Sequence, residues 1–270
     1  MGEQSGHVER TEVWDGGDAY ESYMGRWSRL VAREFLEWLA APPGGCWLDV
    51  GCGTGALAQT VLALGAPRKV LGIDPSPAYV AFAHERVSDP RVRFEVGDAQ
   101  ALQAASATFD AVGSGLVLNF VPEPERAASE MARAARPGGT VGAYVWDYDE
   151  GMQMMRYFWD AAVALEPRIR GLDQGRRFPL CKPDALTDLF RRAGLEEIEV
   201  RAIDVATVFR SFDDYWSPFL GGQGSAPGYA MSLGEERRGA LRERIRATLP
   251  TDPKGEHPLT ARAWVVRGVR

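Results

Sequence analysis

Short apolar runs alternate with helical stretches through the middle of the chain. The apolar runs, bounded by turn residues, predict strands at 46–50, 70–73, 92–96, 111–115 and 141–146. Apolar positions three and four residues apart predict helices at 54–64, 76–87 and 122–135. Ser76 is a suitable cap for the second helix, and Pro77 suits its first position. Strand and helix alternation at this spacing predicts an α/β fold with a doubly wound parallel sheet.

An amphipathic helix precedes this alternation. Its apolar residues recur at spacings of three and four from Tyr20 to Leu39, and a Pro-Pro-Gly-Gly sequence at 42–45 ends it. The apolar face requires a partner, so we expect the helix to cover the domain that follows. The chain then divides into a flexible arm at 1–18 and a single domain at 19–270, with the helix at 19–44 and the core at 45–146.

The C-terminal part of the chain follows the alternation only in places. The predicted elements are a helix at 183–193 and strands at 196–205 and 261–269. Two stretches, 147–182 and 206–260, do not fit it and are rich in aromatic residues, methionine, glycine and proline. At helical spacing such residues more often pack in the core than line a pocket.

Composition and charge narrow the class of protein. Lys and Arg number 31 and Asp and Glu 37, for a net charge of −6, which argues against nucleic acid as a partner. No run of about 18 apolar residues suggests a membrane span, and no signal peptide is expected. Three cysteines are too few for a disulfide framework, so we expect a cytoplasmic protein. A small molecule is the expected partner, no metal site is predicted, and the oligomeric state is not indicated.

A glycine loop carries the strongest chemical signal. Gly51, Gly53 and Gly55 alternate between the first predicted strand and its helix, so backbone can approach a ligand there without interference from Cβ atoms. The Gly51-x-Gly53-x-x-Ala56 sequence also matches a dinucleotide fingerprint. Asp49 argues against that interpretation, because its carboxylate would repel a pyrophosphate by about 3 kcal/mol at ~5 Å in a partly buried setting. A ligand with an ammonium and a sulfonium group would instead be attracted.

Two further carboxylates follow the next predicted strands. Asp74 ends the second strand, where a carboxylate can accept the hydroxyls of an unphosphorylated ribose. Gly97-Asp98-Ala99 ends the third. Because ligands of open α/β sheets bind at the carboxyl ends of the strands, these acids and the glycine loop should converge.

These motifs, followed by Phe109-Asp110-Ala111 and Arg136-Pro137-Gly138-Gly139-Thr140, resemble the successive motifs of class I S-adenosylmethionine-dependent methyltransferases. The resemblance covers residues 45–145. It implies a Rossmann-like sheet of seven strands, six parallel and the last antiparallel. It also implies methyl transfer from S-adenosylmethionine to a small, partly apolar or aromatic acceptor. The transfer would be an in-line displacement whose catalysis depends mainly on proximity.

The resemblance further implies which residues hold the cofactor. Methionine would lie against Asp49 and the glycine loop, ribose on Asp74, and adenine over Pro75 with its amino group at Asp98. Residues 114–118 would border the sulfonium. The cofactor residues expected from these motifs are Asp49, Gly51, Cys52, Gly53, Gly55, Asp74, Pro75, Gly97, Asp98, Ala99, Gly115 and Leu116.

The predicted N-terminal helix adds two candidates, since a tyrosine and an arginine of such a helix approach the cofactor in related small-molecule methyltransferases. Tyr23 and Arg26 resemble them. Arg26 lies off the apolar stripe and has no expected structural partner, so its guanidinium could hold the methionine carboxylate. The helix would then be a lid over the cofactor; the alternative is a permanently packed helix with Arg26 in solvent.

The acceptor site is less clearly marked. Asn119 stands where many small-molecule members carry a histidine. The stretches 147–182 and 206–260 lie where the family places its substrate cover. They contain Tyr148, Tyr157 and Trp216, and Trp146 directly precedes the first of them. These five are the candidate substrate residues. The histidines are His7, His84 and His257, none of which is compelling as a base, so no catalytic residue is assigned.

Two other functions remain open on the sequence. A methyltransferase-like protein could bind the cofactor without turnover, and the glycine loop could serve an NAD-dependent oxidoreductase. The sequence lacks the Asp- or Asn-Pro-Pro-aromatic motif of nucleic-acid amino methyltransferases. Its arginine run at 237–246 is interleaved with glutamate, which indicates a solvated helix face.

Overall fold

The structure, a computed structural model, describes residues 21–221 and 224–270. The predicted arm at 1–18, with His7, and Tyr20 lie outside these residues. One sheet forms the centre of the fold. Its strands are β1 (Cys46–Val50), β2 (Lys69–Asp74), β3 (Val92–Val96), β4 (Phe109–Gly115), β5 (Ala135–Trp146), β6 (Glu196–Phe209) and β7 (His257–Val269).

The topology of this sheet confirms the predicted fold class. The strands follow the order β3-β2-β1-β4-β5-β7-β6. β1, β2, β3, β4 and β5 pair in parallel, whereas β7 is antiparallel to both β5 and β6. Six strands therefore run in one direction and the last runs in the other.

Helices surround the sheet, and a π-helical turn at Glu21–Gly25 leads into the first of them. They are α1 (Arg26–Leu39), α2 (Ala56–Leu64), α3 (Pro77–Arg86), α4 (Pro124–Ala134), α5 (Gln153–Leu165), α6 (Gln174–Arg177), α7 (Pro183–Arg192), α8 (Phe212–Trp216), α9 (Ser225–Ser232) and α10 (Glu235–Thr248). Ser76 Oγ accepts the Tyr79 N–H at the start of α3, as predicted. Within the two described ranges, no helix is both long enough and apolar enough to cross a membrane.

β2 and β4 extend one or two residues beyond their predicted bounds, and β5, β6 and β7 extend further. β6 continues past 205 because its alternation continues, with Thr207 and Phe209 buried and Ala206 and Val208 exposed. β7 begins at His257 rather than at 261, so the second insertion is 210–256. β5 begins at 135 rather than at 141, since its first residue pairs with Phe109 before the register shifts.

The aromatic residues of the two insertions are packing residues. Phe158 of α5 stacks on Phe219 of the second insertion, with ring centroids 4.6 Å apart. The Tyr215 hydroxyl donates to the Met154 carbonyl at 2.8 Å, and Trp159 Nε1 donates to Gln174 Oε1 at 3.1 Å. The insertions therefore form one aromatic cluster over the sheet, as the helical spacing of these residues favoured.

The arginine run on α10 behaves as predicted. Arg237 pairs with Glu166 at 2.7 Å and Arg242 pairs with Asp213 at 2.9 Å, both at the surface. Exposed ion pairs of this kind contribute about 0–1 kcal/mol each to stability. The face is therefore a solvated one, and its ion pairs connect α10 to neighbouring segments.

α1 covers the sheet by packing directly on a glycine of β5. A Cβ atom built on Gly142 would lie 2.5 Å from Leu39 Cδ1 and 2.9 Å from Phe35 Cζ. Phe35 in turn packs on Tyr144, with ring centroids 4.8 Å apart. Arg267 Nη1 of β7 donates to the Trp38 carbonyl at 2.6 Å. The close approach of helix and sheet depends on the missing side chain at Gly142.

We expect Gly142→Ala to lower the free energy of unfolding by about 1–3 kcal/mol, because the buried ring of Phe35 must move. Gly239→Ala is the matched control: a Cβ there meets nothing within 4 Å, inside α10. That variant should gain about 0.5–1 kcal/mol from helix propensity. Urea unfolding measures both, and a Gly142→Ala protein as stable as the wild type would contradict this account of the packing.

Candidate functional site

The glycine loop joins β1 to α2 and is fixed by backbone hydrogen bonds from the neighbouring strand. The N–H groups of Gly51 and Cys52 both donate to the Ile73 carbonyl, at 2.7 and 3.0 Å. Gly51 has φ +74°, and a Cβ there would lie 2.5 Å from Val117 Cγ1, so a side chain is excluded. Gly53 has φ +50°, but a Cβ there would meet nothing within 4 Å. The backbone of Gly53 therefore borders open space.

Asp49 lies beneath this loop and is almost completely buried, with 2% of its surface exposed. Its Oδ2 accepts the Ala58 N–H in the first turn of α2 at 3.0 Å. Its Oδ1 is buried and has no hydrogen-bond partner in the described part of the chain. Burial raises the pKa of Asp49 to about 7, aided by the nearby charge of Asp74 and opposed by the Ala58 N–H. The carboxyl is thus prepared for a cationic partner.

Asp74 ends β2 and is oriented by two backbone donors. Its Oδ1 accepts the Ser76 N–H and its Oδ2 the Gly53 N–H, both at 2.9 Å. Burial raises the pKa of Asp74, and the two N–H groups act in the opposite direction. The hydrogen bond to Gly53 places this carboxyl directly beside the glycine loop, as the position at the end of β2 predicted.

A cavity of about 230 Å³ lies at the carboxyl ends of β1, β2, β4 and β5. The residues that line it on the side of β1 and β2 are Asp49, Gly51, Cys52, Gly53, Thr54, Ala56, Leu57, Asp74, Pro75, Ser76 and Tyr79. Those on the side of β4, β5 and α1 are Ser28, Gly115, Leu116, Val117, Phe120 and Tyr144. The structure therefore brings most of the predicted cofactor residues together around one space.

Four of the cofactor residues predicted from the sheet-edge motifs do not line this cavity: Gly55, Gly97, Asp98 and Ala99. Asp98 is exposed, and its Oδ1 accepts the Gln100 N–H at 2.8 Å in the turn after β3, between Gly97 and Ala99. Gly55 faces the other way, since a Cβ there would lie 3.3 Å from Val87 Cγ2. The contact of Asp98 with adenine stays a prediction.

The expectation that Arg26 has no structural partner was wrong. Arg26 Nη1 lies 2.9 Å from Asp214 Oδ1 on α8, and its guanidinium lies over the rings of Trp27 and Phe209, at 4.3 and 4.8 Å. The Tyr23 hydroxyl donates to Met155 Sδ at 3.0 Å. These contacts tie the start of α1 to both insertions, and neither residue lines the cavity. The proposed cofactor contacts of Tyr23 and Arg26 stay predictions.

The candidate substrate residues also lie outside the lining. Trp146 and Tyr148 are buried, and Trp216 stacks against Phe212 in the second insertion at 6.5 Å. Tyr157 on α5 is half-buried. Of the five, Asn119 lies closest to the lining along the chain, between Val117 and Phe120. Its Nδ2 is buried without a hydrogen-bond partner among the described residues. Their roles in substrate binding stay predictions.

Neither histidine of the described residues faces the cavity. His84 Nε2 lies 2.9 Å from the Phe94 carbonyl, and His257 Nδ1 lies 2.8 Å from the Pro250 carbonyl. Both are held by backbone away from the lining. His84 is exposed but is fixed by this bond rather than only solvated.

Besides neighbours of the glycine loop and of Pro75, four lining residues escaped the sequence analysis: Ser28, Tyr79, Phe120 and Tyr144. The sequence contained a signal for Ser28, because this polar residue lies two helical turns before Phe35 on the buried face of α1. Tyr144 shares its face of β5 with Gly142 by the two-residue period of a strand. No comparable local signal marks Tyr79 or Phe120, whose positions depend on how α3 and the loop after β4 meet the sheet.

Comparison with known proteins assigns this architecture to a family. The family described as "Methyltransferase domain" matches residues 48–142. The chain is 30% identical over 197 residues to the ubiquinone biosynthesis O-methyltransferase of Cereibacter sphaeroides, covering 70% of this chain and 75% of that one. It is 31% identical over 186 residues to the 2-methyl-6-phytyl-1,4-hydroquinone methyltransferase of Synechocystis sp., covering 68% of this chain and 57% of that one.

Solved structures share the fold at lower identity. Phosphoethanolamine N-methyltransferase 2 of Haemonchus contortus, in complex with S-adenosyl-L-methionine, gives a TM-score of 0.61 at 20% identity and covers 97% of this chain and 59% of that one. The YcgJ protein of Bacillus subtilis gives a TM-score of 0.57 at 15% identity, covering 91% and 98%. Of the two interpretations of the glycine loop, the adenosyl cofactor is therefore correct and the dinucleotide is not. The chain belongs to the class I S-adenosylmethionine-dependent methyltransferases, and S-adenosylmethionine is its cofactor.

Proposed function

We propose that this methyltransferase transfers the methyl group to a small aromatic acceptor of the phenol or hydroquinone type. The observation that carries the proposal is the division of the cavity lining. Its β1–β2 side presents two carboxyls and the glycine loop, whereas its β4 side presents the apolar side chains of Leu116, Val117 and Phe120. The relatives named above are methyltransferases of a hydroquinone and of ubiquinone biosynthesis.

The β1–β2 side fits the cofactor on two observations. The buried Asp49 Oδ1 lacks a partner in the described chain, which suits the ammonium of the methionine part. The backbone of Gly53 borders space that a Cβ would enter without meeting protein. Asp74, oriented by its two backbone donors, would accept the ribose hydroxyls. Pro75 and Tyr79 border the adjacent part of the cavity, where we place adenine.

When bound, S-adenosylmethionine supplies an electrophilic methyl group on a sulfonium. The task of the chain is then to hold the acceptor in line with it, and alignment of this kind is worth up to ~7–11 kcal/mol. An apolar wall that excludes water serves this task. Phe120 is supported from behind by Phe178 of the first insertion, with ring centroids 5.0 Å apart, and Phe178 contacts Tyr148 at 5.6 Å. The insertion therefore supports the acceptor wall without forming its surface.

Transfer of a labelled methyl group tests the proposal. We expect label from S-adenosylmethionine to reach 1,4-naphthohydroquinone, kept reduced, and not to reach phosphoethanolamine, which is small and charged. Transfer to phosphoethanolamine alone would contradict an aromatic acceptor. Binding of cofactor without transfer to any phenol or hydroquinone in a panel would instead favour a cofactor-binding protein without turnover.

The pKa of Asp49 predicts a pH-dependent affinity for S-adenosylhomocysteine, which carries the same ammonium group. Below a pKa of about 7 the free protein must release a proton before Asp49 can pair with that ammonium. Affinity should therefore fall about tenfold from pH 7.0 to pH 5.5. Titration calorimetry at both values measures it. Asp49→Asn should bind weakly at both pH values without this slope, and a slope that survives in the variant would contradict the assignment.

Gly53→Ala tests whether the open space at the loop belongs to the cofactor. The added methyl group should weaken S-adenosylhomocysteine binding at least about tenfold, the cost of overfilling a packed space. Gly138→Ala is the matched control, since Gly138 also has positive φ, at +74°, and a Cβ there also meets nothing within 4 Å. Both variants carry the same kind of backbone strain, so equal affinities in calorimetry would leave Gly53 with a turn role only.

A further inference from the structure

Asp98 follows β3 beside the end of β2, where the ribose of the cofactor is assigned to Asp74. β2 and β3 pair in parallel with Asp74 opposite Val96, and the Gly97 N–H donates to the Asp74 carbonyl at 3.1 Å. Asp98 is the next residue, and it is exposed. Because adenine is bonded directly to the ribose, the turn that carries Asp98 adjoins the place assigned to the base.

Gln100 holds the carboxylate of Asp98 through its backbone and its side chain. The Gln100 N–H donates to Asp98 Oδ1 at 2.8 Å, and the Gln100 Nε2 lies 3.2 Å from both carboxylate oxygens. A carboxylate offers about four acceptor sites on its two oxygens. Asp98 therefore keeps the capacity to accept a further hydrogen bond, and the amino group of adenine is a donor of the required kind.

The side-chain amide of Gln100 is fixed at its other end by α4. Gln100 Oε1 accepts the N–H of Glu123 at 2.9 Å, at the N-cap of this helix, where the Glu123 side chain forms no cap. The Glu123 N–H can only donate and the Asp98 carboxylate can only accept, so both partners require the same orientation of the amide. The start of α4 therefore directs the NH₂ group of Gln100 onto Asp98.

We propose that Gln100 is a positioning residue for the cofactor, which holds Asp98 in the conformation that accepts the amino group of adenine. An exposed side chain without such a partner changes rotamer within nanoseconds. Holding the carboxylate in place before the ligand arrives lowers the entropy cost of binding. The proposal rests on the proposed function for the placement of the ribose at Asp74, and it is independent of the identity of the acceptor.

Two probes that differ only in the amino group test this role by calorimetry. They are S-adenosylhomocysteine and its 6-desamino analogue, in which a hydrogen replaces the amino group of adenine. We expect the wild type to prefer S-adenosylhomocysteine about tenfold, the effect of one hydrogen bond to a charged group. Gln100→Ala should reduce this preference to about threefold, because Asp98 is then no longer held in place. Gln103→Ala is the matched control, since Gln103 is an exposed glutamine of the same loop, and this variant should keep the tenfold preference.

Asp98→Ala shows whether Gln100 acts through Asp98. This variant should lose the preference, and adding Gln100→Ala to it should cause no further change, as expected when one residue acts only through another. A merely structural role of Gln100 at the start of α4 would weaken the binding of both probes by the same factor and leave their ratio unchanged.

Three results would overturn the proposal. A tenfold preference that survives in Gln100→Ala removes the role of Gln100. Equal binding of the two probes by the wild type, or an unchanged preference in Asp98→Ala, shows that Asp98 does not bind the amino group, so Gln100 has nothing to position. None of these results bears on the aromatic acceptor, which the transfer of labelled methyl tests separately.

Discussion

One buried carboxyl connects the fold to the site. α2 begins after Gly55, which has no side chain to cap the helix, and Asp49 of β1 supplies the missing acceptor to the N–H of Ala58. A helix N-terminus favours a negative group, but the burial of Asp49 disfavours its charge. Burial prevails, as the raised pKa shows. The strand, the loop and the helix are thus assembled around a buried carboxyl whose Oδ1 has no hydrogen-bond partner in the described part of the chain.

The space beside this carboxyl comes from missing side chains on one face of the sheet. Asp49 pairs with Gly113, and Gly113 pairs with Gly142, so all three face the same side. A Cβ on Gly113 would lie 3.0 Å from Leu57 of α2, and one on Gly142 would meet α1. Helices and sheet therefore approach closely below the cavity. Gly115 lies two residues nearer the carboxyl end of β4 than Gly113. There the phenol ring of Tyr144 occupies the space that a side chain on Gly115 would fill.

The sequence predicted those parts of the site that depend on local pattern. The glycine loop, Asp49 and Asp74 each lie at the end of a short apolar run, and parallel pairing of β1 with β2 brings them together. The number of strands and the antiparallel last strand followed from the family resemblance. Contacts between distant segments were beyond this reasoning. Arg26 pairs with Asp214, which lies 188 residues further on, so the sequence near Arg26 does not indicate its partner.

The aromatic insertions show why richness in aromatic residues misleads when it is used to locate a pocket. Trp146, Tyr148 and Trp216 are nearly inaccessible, as large apolar groups are wherever they can be buried. Tyr148 packs on Phe178, and Trp216 packs on Phe212 and Phe219. The cavity wall is instead made by residues of the sheet ends and by Phe120, with Phe178 behind it. The insertions contact this wall through Phe178 behind Phe120. They also contact the start of α1, whose Ser28 lines the cavity, through Met155 and Asp214. The shape of the cavity therefore depends on the insertions indirectly, through the residues that they support.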